Sequence, residues 1–313
     1  MQILSVMDPL DKLSLPQDTT VGFINSAIIR GHQVAICTPE DLYLIGDQAW
    51  ARARFVDVPA ENQIIPREVT EISLLDFDCV WMRKDPPVDQ AFLHATYLLD
   101  FANTWVINPP EVLRAMNEKL YALRFLDLTP ETRVTSSPQL VMKWLLEAKE
   151  PMIVKPLDGY GGLGVTLLSA EDRNCRVTLE LLTDLGKKRV VVQRYLPAAR
   201  RGDHRVLIIN GEVIGAVLRT PQEDDHRGNI HVGGQVSHLP LSEAELQTCQ
   251  RVALRLKEDG VFFAGLDLIG GSLTEINITS PTGIRELKAL TGIDAGERLI
   301  IEIEREVHRE AEL

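Results

Sequence analysis

Two stretches of this chain carry side chains whose types and spacing suit phosphate and cation chemistry. The first is the run Asp158-Gly159-Tyr160-Gly161-Gly162-Leu163-Gly164. It fits the pattern G-x-G-x-x-G, but a dinucleotide-binding loop of that kind opens a helix. Here Val165-Thr166-Leu167-Leu168 follows, which is strand-forming. A P-loop is excluded as well, because Val165 stands where its lysine belongs. Two readings remain for this turn between strands. Its backbone N–H groups lie over phosphates, or it is a tight turn with no ligand. Lys155, at the end of an apolar strand four residues before Gly159, favours the first. A lysine on a core strand must meet an anion or reach water, and a triphosphate under the loop is such an anion.

The second stretch is 267–277. If Gly270-Gly271-Ser272 is a three-residue hairpin loop, Ile269 pairs with Leu273 and Asp267 falls opposite Glu275. Two carboxylates facing across a ladder repel each other, and a bound cation removes that penalty. Asn277 lies two residues beyond Glu275 and projects from the same face. Asp267, Glu275 and Asn277 then form an all-oxygen site suited to Mg²⁺ shared with nucleotide phosphates. Leu266, Leu268, Ile276 and Ile278 turn the opposite face toward a core. The competing reading is a solvated polar face on an edge hairpin. The alignment rests on the loop length, and a two-residue loop spoils it.

Basic residues complete the set. Arg83 and Lys84 follow a buried strand at the carboxyl edge of a sheet. Arg205 and Arg219 stand at the two open ends of one hairpin, and Arg227 sits in the long polar stretch 220–235, which reads as a mobile loop. Each alone is an ordinary surface charge; together they suit a substrate with carboxylates, which guanidinium forks grip in pairs. His204, His226 and His231 have no cysteine or serine partner in the sequence pattern. The chemistry is therefore positioning plus electrostatics, as phosphoryl transfer requires.

The elements that must hold these residues alternate at first between strand and helix. A strand over 3–7, a helix capped by Asp18 or Thr19 that closes at Arg30 and Gly31, and a strand over 34–37 make one βαβ unit. Such a unit needs a parallel sheet and a right-handed crossover. A strand over 78–82, a helix to about Asn103 and a strand over 105–107 follow. Asn108 caps the next helix, with Pro109 at its first position. After a helix near 137–148, strands at 151–155, 165–168 and 189–193 dominate. The last third holds a hairpin over 205–219 turning at Asn210-Gly211, a type I′ signature. A capping box, Ser242 with Glu245, then opens a helix that Gly260 stops.

Composition sets the bounds. The 313 residues include 33 Lys and Arg against 45 Asp and Glu, a net charge of −12, which excludes a broad nucleic-acid surface. It leaves room for a local anion pocket. The length suggests two or three domains with ample core. No apolar run is long enough for a membrane helix, and the first residues lack a secretory leader's basic start and cleavage site. The four cysteines form no C-x-x-C and have no histidine at zinc spacing; Cys37 and Cys79, in apolar strand-like runs, read as buried, reduced thiols, which fits the cytoplasm.

On these residues the chain resembles the ATP-grasp ligases and, among them, the bacterial glutathione synthetases. The matching stretches include Val6-Met7-Asp8-Pro9, Met82-Arg83-Lys84-Asp85-Pro86-Pro87, Asn117-Glu118-Lys119-Leu120 and Lys155-Pro156-Leu157-Asp158-Gly159. Arg227-Gly228-Asn229, Gly265-Leu266-Asp267, Thr274-Glu275-Ile276-Asn277 and Thr279-Ser280-Pro281-Thr282 continue it, so that nearly the whole chain is covered. The resemblance implies an α/β ATP-grasp fold in three parts. These are an N-terminal Rossmann-like parallel-sheet domain over 1–119, a lid subdomain over 120–199 and a C-terminal α+β catalytic domain over 200–313. It implies that ATP, γ-glutamylcysteine and glycine become glutathione, ADP and phosphate through an acyl phosphate, with Mg²⁺ or Mn²⁺ as the metal.

In that scheme Lys119 and Lys155 hold ATP phosphates, and Gly161 and Gly162 belong to the lid loop. Gln193, Arg194, Tyr195 and Leu196 line the adenine pocket, with Asp203 near the ribose. Asp267, Glu275 and Asn277 bind the metal. Arg83, Arg205, Arg219 and Arg227 act at the reacting carboxylate, and Ser280 and Thr282 contact the dipeptide. A homo-oligomer, tetramer or dimer, is implied, with no nucleic-acid or membrane partner. Two features depart from the family pattern: the polar loop contains Glu223-Asp224-Asp225 and ends Gly233-Gly234-Gln235 where Gly-Gly-Arg is usual, and Gly283 replaces a common cysteine. The same ATP machinery also serves other carboxylate–amine ligases, which product analysis separates.

Overall fold

The apolar run Gln2–Val6 forms β1, buried at all but its first position. Asp18 caps α1 (Thr19–Ile29) by accepting from the Val21 N–H at 2.9 Å. β2 (Gln33–Cys37) returns parallel to β1, so the βαβ unit is present. β3 (Leu42–Ile45) and β4 (Gln48–Asp57), with the short β5 (Ile65–Pro66) and β6 (Thr70–Ser73), extend that side antiparallel. β7 (Cys79–Met82) and β8 (Trp105–Ile107) lie parallel on the other side of β1, joined by α2 (Gln90–Leu99). That helix ends short of Asn103, where the chain turns with Asn103 at φ 52°. These elements belong to a computed structural model that describes residues 1–222 and 234–311. The strand order β3-β4-β2-β1-β7-β8 reverses at β1 and β7. Ligands of open α/β sheets gather at strand carboxyl ends beside such a reversal.

Asn108 does not cap the following helix. α3 (Pro110–Ala115) has Pro109 at its N-cap and no side-chain cap. The Asn108 amide instead donates to the carbonyls of Phe263 and Ile278 at 2.8 and 2.7 Å, and accepts from the N–H groups of Phe262 and Phe263 at 2.8 and 3.0 Å. All four of its hydrogen-bonding valences are thereby used on residues 154 to 170 positions away.

A second sheet, wholly antiparallel, contains β9 (Thr132–Thr135), β10 (Met152–Pro156), β11 (Thr166–Leu168) and β12 (Val190–Arg194) in the order β11-β10-β12-β9. α4 (Pro138–Ala148) and α5 (Cys175–Leu182) cover it, with Val141, Leu145, Val154, Leu179 and Val192 in a core of its own. The third sheet holds β13 (Asp203–Ile209), β14 (Glu212–Thr220), β15 (Gln235–Ser237), β16 (Phe263–Ile269) and β17 (Ser272–Asn277). The expected capping box opens α6 (Glu243–Glu258). That helix packs Cys249, Val252 and Leu256 against Leu266, Leu268 and Ile276. α7 (Ile284–Thr291) and α8 (Ala295–Ala311) bridge to the first sheet. Ile3, Phe23 and Trp81 there share one core with Leu207, Phe263 and Leu299. The first and third sheets are thus fused, while the second has a separate core.

All four cysteines are buried. No helix among the described residues is long and apolar enough to cross a membrane.

Candidate active site

The β16–β17 hairpin turns on two residues, Gly270 and Gly271, with Ile269 opposite Ser272. The three-residue loop expected from the sequence is therefore wrong, and Ile269 does not face Leu273. A β-bulge restores the register: Leu268 pairs with Leu273, then Asp267 pairs with Glu275, leaving Thr274 as the extra residue. The Thr274 hydroxyl donates to the Asp267 carbonyl at 3.0 Å, which pins the bulge. Asp267 and Glu275 come together after all, by a different route. Asn277 lies opposite Gly265, and its Nδ2 is 3.4 Å from Asp267 Oδ2.

Cations hold both carboxylates. Arg205 on β13 forks onto Asp267, Nε to Oδ1 at 2.6 Å and Nη2 to Oδ2 at 3.1 Å. Gly265 permits this: a Cβ there would sit 3.2 Å from Arg205 Cδ and 3.1 Å from Pro281 Cβ. Arg219 on β14 reaches Asp267 Oδ2 at 3.0 Å and also pairs with Asp203, its cross-strand neighbour. The two arginines of the hairpin therefore converge on one anion, and that anion is the chain's own. Burial opposes the charge on Asp267, but Arg205 and Arg219 outweigh it and hold the carboxyl below the usual carboxylate range.

Glu275 contacts Lys155 Nζ at 3.1 Å and Lys119 Nζ at 3.8 Å. Burial raises its pKa, yet the two lysines carry it below the ordinary value. Lys119 Nζ is also 2.5 Å from Glu118 Oε1 and donates to the carbonyl of Gly159 at 2.5 Å. Glu118 behaves oppositely to Glu275: burial, reinforced by the charge of Glu275, raises its pKa. The cluster is formally neutral, with Lys119, Lys155, Arg205 and Arg219 set against Glu118, Asp203, Asp267 and Glu275.

Two cavities meet at this cluster, both lined by Arg219 and Glu275. The smaller, about 100 Å³, lies between the second and third sheets. Lys155, Gln193, Arg194, Tyr195, Leu196, Asp203 and Asp267 line it. Gln193 is fixed by donating to Thr132 Oγ1 at 2.9 Å. The larger, about 390 Å³, is walled by Asp85, Pro86, Glu118, Arg205, Asn277 and 279–282, with Tyr160, Gly161 and Leu163 of the glycine-rich turn at its mouth. Gly161, Gly162 and Gly164 take φ of +59°, +82° and +76°, a path that only glycine follows without strain.

Most of the residues singled out from the sequence therefore converge. Ser280 and Thr282 line the larger cleft, where Thr282 receives Arg205 Nη1 through its carbonyl at 3.1 Å. Arg83 stands behind that wall, 2% exposed. It donates from Nε to Thr20 Oγ1 and from Nη2 to the Pro281 carbonyl, and stacks on Trp81. Lys84 is absorbed by Asp8 at 2.9 Å. His204 lies between Glu245 and the Leu239 carbonyl. Arg227, His226, His231 and most of the 220–235 stretch lie outside the described residues. Sequence reasoning gave no role to Glu118 or Asp85. An acidic residue next to a buried lysine was the available signal for the first, and an acidic residue just past a buried parallel strand for the second.

The donors fit a hard divalent cation. Asp267, Glu275 and Asn277 offer oxygen from one face, and the Asn277 amide oxygen takes part in no hydrogen bond among the described residues. No group of three or more His, Cys, Asp or Glu offers a rival metal site among the described residues.

Residues 1–114 match the family model for the prokaryotic glutathione synthetase N-terminal domain, and residues 118–292 the one for its ATP-grasp domain. A glutathione synthetase of Synechococcus elongatus is 40% identical, over 97% of this chain and 98% of that protein. One from Gloeobacter violaceus is 42% identical, over 94% and 93%. Among solved structures, the D-cycloserine synthetase DcsG superposes with a TM-score of 0.70 at 15% identity, covering 98% of this chain and 99% of that one. The ATP-grasp ligase PsnB, complexed with a minimal precursor, gives 0.61 at 18% identity, over 97% and 98%. At such identities these two show a common fold.

Proposed function

The chain belongs to the prokaryotic glutathione synthetase family, ATP-dependent ligases of ATP-grasp fold, and from that premise we propose how its own residues join γ-glutamylcysteine to glycine. The observation that carries the reading is the neutral charge cluster at the junction of the two cavities. A nucleotide in the smaller cavity and an acid in the larger would bring their reacting groups together there.

The adenine lies along 193–196 and the ribose near Asp203. The phosphates pass over Lys155 and Lys119 beneath Gly161 and Gly162. Asp267, Glu275 and Asn277 would hold the divalent ion, Mg²⁺ or Mn²⁺. When bound, that ion offsets charge building on the transferring phosphoryl oxygens. Arg205 and Arg219, joined by Arg227, stabilise the reacting carboxylate as it attacks the γ-phosphorus and ADP leaves. Arg83 braces the Pro281 carbonyl from behind and so steadies Ser280 and Thr282 against the dipeptide. The glycine amine then attacks the acyl phosphate, phosphate departs, and the amine's proton goes to solvent. Tyr160 and Leu163 at the cleft mouth suit the exclusion of water that this intermediate demands. The division at residues 119 and 199, a homo-oligomeric state and a cytoplasmic setting for the four thiols belong to the same reading.

The test is phosphate release from ATP and Mg²⁺, with each remaining substrate omitted in turn. Release that needs both γ-glutamylcysteine and glycine, with glutathione as product, is the expected result. Release with other acids and amines, but not with this pair, would overturn the substrate assignment and leave the ligase chemistry standing.

A further inference from the structure

Five charged side chains line the larger cleft, and four of them are already paired. Arg205 and Arg219 hold Asp267, Glu118 faces Lys119, and Glu275 faces Lys155. The fifth is Asp85. Among the described residues its carboxylate has no hydrogen bond and no ion pair, although its backbone is firmly tied. The Asp85 N–H donates to Asp8 Oδ2 at 2.8 Å, and its carbonyl accepts from Lys84 Nζ at 2.7 Å. Lys84 is in turn paired with Asp8 Oδ1 at 2.9 Å. Arg83 is near enough to interact electrostatically, but its hydrogen bonds go to Thr20 and Pro281. The carboxylate therefore stands on a braced turn, just past β7 and beside the reversal of the sheet.

A second observation lies in the same cleft. Ser280 is only 9% exposed, and its buried Oγ has no partner among the described residues. A half-buried anion and a buried hydroxyl left without partners are both incomplete until a ligand supplies them.

Resting on the reading above, we propose that Asp85, together with Ser280 Oγ, binds the α-ammonium of the γ-glutamyl residue, so that the cleft selects acids carrying a free amino group at that end. The reaction offers one other ammonium, that of glycine. Glycine must react as a free amine at the activated carboxyl, and an anion that kept it protonated would oppose the step. The γ-glutamyl ammonium takes no part in bond making and can stay charged throughout. Asp85 then measures the dipeptide from the end remote from the chemistry.

The experiment compares γ-glutamylcysteine with glutarylcysteine, in which hydrogen replaces the α-amino group, for wild type, Asp85→Asn and Ser280→Ala. Phosphate release is followed in the presence of ATP, Mg²⁺ and glycine. For wild type, removing the amino group should lower kcat/KM roughly 10- to 100-fold, the effect of a lost charge-assisted hydrogen bond. Asp85→Asn should lose a similar factor with the natural dipeptide and little more with the analogue, while KM for ATP and for glycine stays unchanged. Ser280→Ala should show the same pattern with a smaller loss. An Asp85→Asn enzyme as sensitive to the amino group as wild type would overturn the proposal, and so would a change confined to KM for glycine. If Asp85→Asn does not fold, an amino-group dependence unaltered in Ser280→Ala has the same force. A wild type inactive with both dipeptides would instead sink the ligase assignment on which the proposal rests.

Discussion

The third sheet and the glycine-rich turn over 158–164 face each other across the cleft, and they are built on opposite principles. On the sheet, Arg205, Arg219, Asp267 and Glu275 are each held by a charged partner, on strands buried against α6. On the turn, Gly161, Gly162 and Gly164 set the path through positive φ, and Tyr160 and Leu163 are 40% and 66% exposed. Groups that must stabilise a developing charge gain from being fixed in advance. A cover that admits and releases substrate gains from having few contacts to break. Removing the paired charges of the sheet should therefore damage turnover and stability together, whereas substitutions on the turn should act on nucleotide affinity.

Glu275→Gln should have the largest effect. It removes a proposed metal ligand and strands Lys155, whose described ion pair is with Glu275. Breaking a buried pair in this way typically destabilises by about 3 kcal/mol. Losing an electrostatic group at the reacting centre typically lowers turnover at least about 100-fold. Urea unfolding and phosphate release measure the two losses. The pH dependence sharpens the result. Glu275 and Asp267 both have pKa values below the ordinary carboxylate range in the folded state. Their stabilisation is complete above the unfolded value of about 4 and is lost as pH falls through the lower folded values. Wild type should weaken steeply on acidification below about pH 5, and Glu275→Gln less steeply. Parallel curves would mean that the pairs on the sheet are not what acid breaks.

How far this contrast was legible in the sequence depended on whether the signal was local. The apolar runs of β1, β7 and β8 mark themselves, as do the caps of α1 and α6. The sequence pattern pairs Asp267 with Glu275 through a loop one residue too long, because nothing about Thr274 marks it as a bulge. Asn108 misleads for the opposite reason. An asparagine before Pro109 looks like a helix cap, and nothing nearby tells of Phe263 and Ile278, which claim its amide. Partners so distant in sequence leave no periodic trace. Glu118 carries no local mark, because its part is defined by Glu275, on a strand that meets it only in the fold.

Lys155→Met should come next in size. It removes a cation from the nucleotide cavity, while Glu275 retains Lys119 at 3.8 Å. KM for ATP should rise roughly 10- to 100-fold, with an unfolding midpoint much nearer wild type than that of Glu275→Gln. A fall as large as that of Glu275→Gln would show that Lys155 matters mainly to the fold. On the turn, Gly164→Ala forces a side chain into φ +76° and places a Cβ 2.8 Å from Pro156 Cγ. The local strain is about 1–2 kcal/mol, and KM for ATP should rise several-fold while the Mg²⁺ dependence of turnover stays as in wild type.

The smallest effect should come from Thr274→Val, and it asks what sets the register on which the sheet's chemistry depends. The substitution keeps the shape of the side chain and removes the hydroxyl that donates to the Asp267 carbonyl. A hydrogen bond of this kind contributes about 1 kcal/mol. If the bulge is held mainly by the flanking pairs, Leu268 with Leu273 and Leu266 with Ile276, stability should fall by about that amount and turnover should change less than about threefold. Both leucines at the first pair are fully buried, so a slip of the strand would turn Leu273 out of the core. That is a far larger penalty than one hydroxyl, and it is why the carboxylates should remain opposed. A drop in turnover comparable to that of Glu275→Gln would show the reverse: that the single bond from Thr274, rather than the core beneath it, keeps Asp267 and Glu275 face to face.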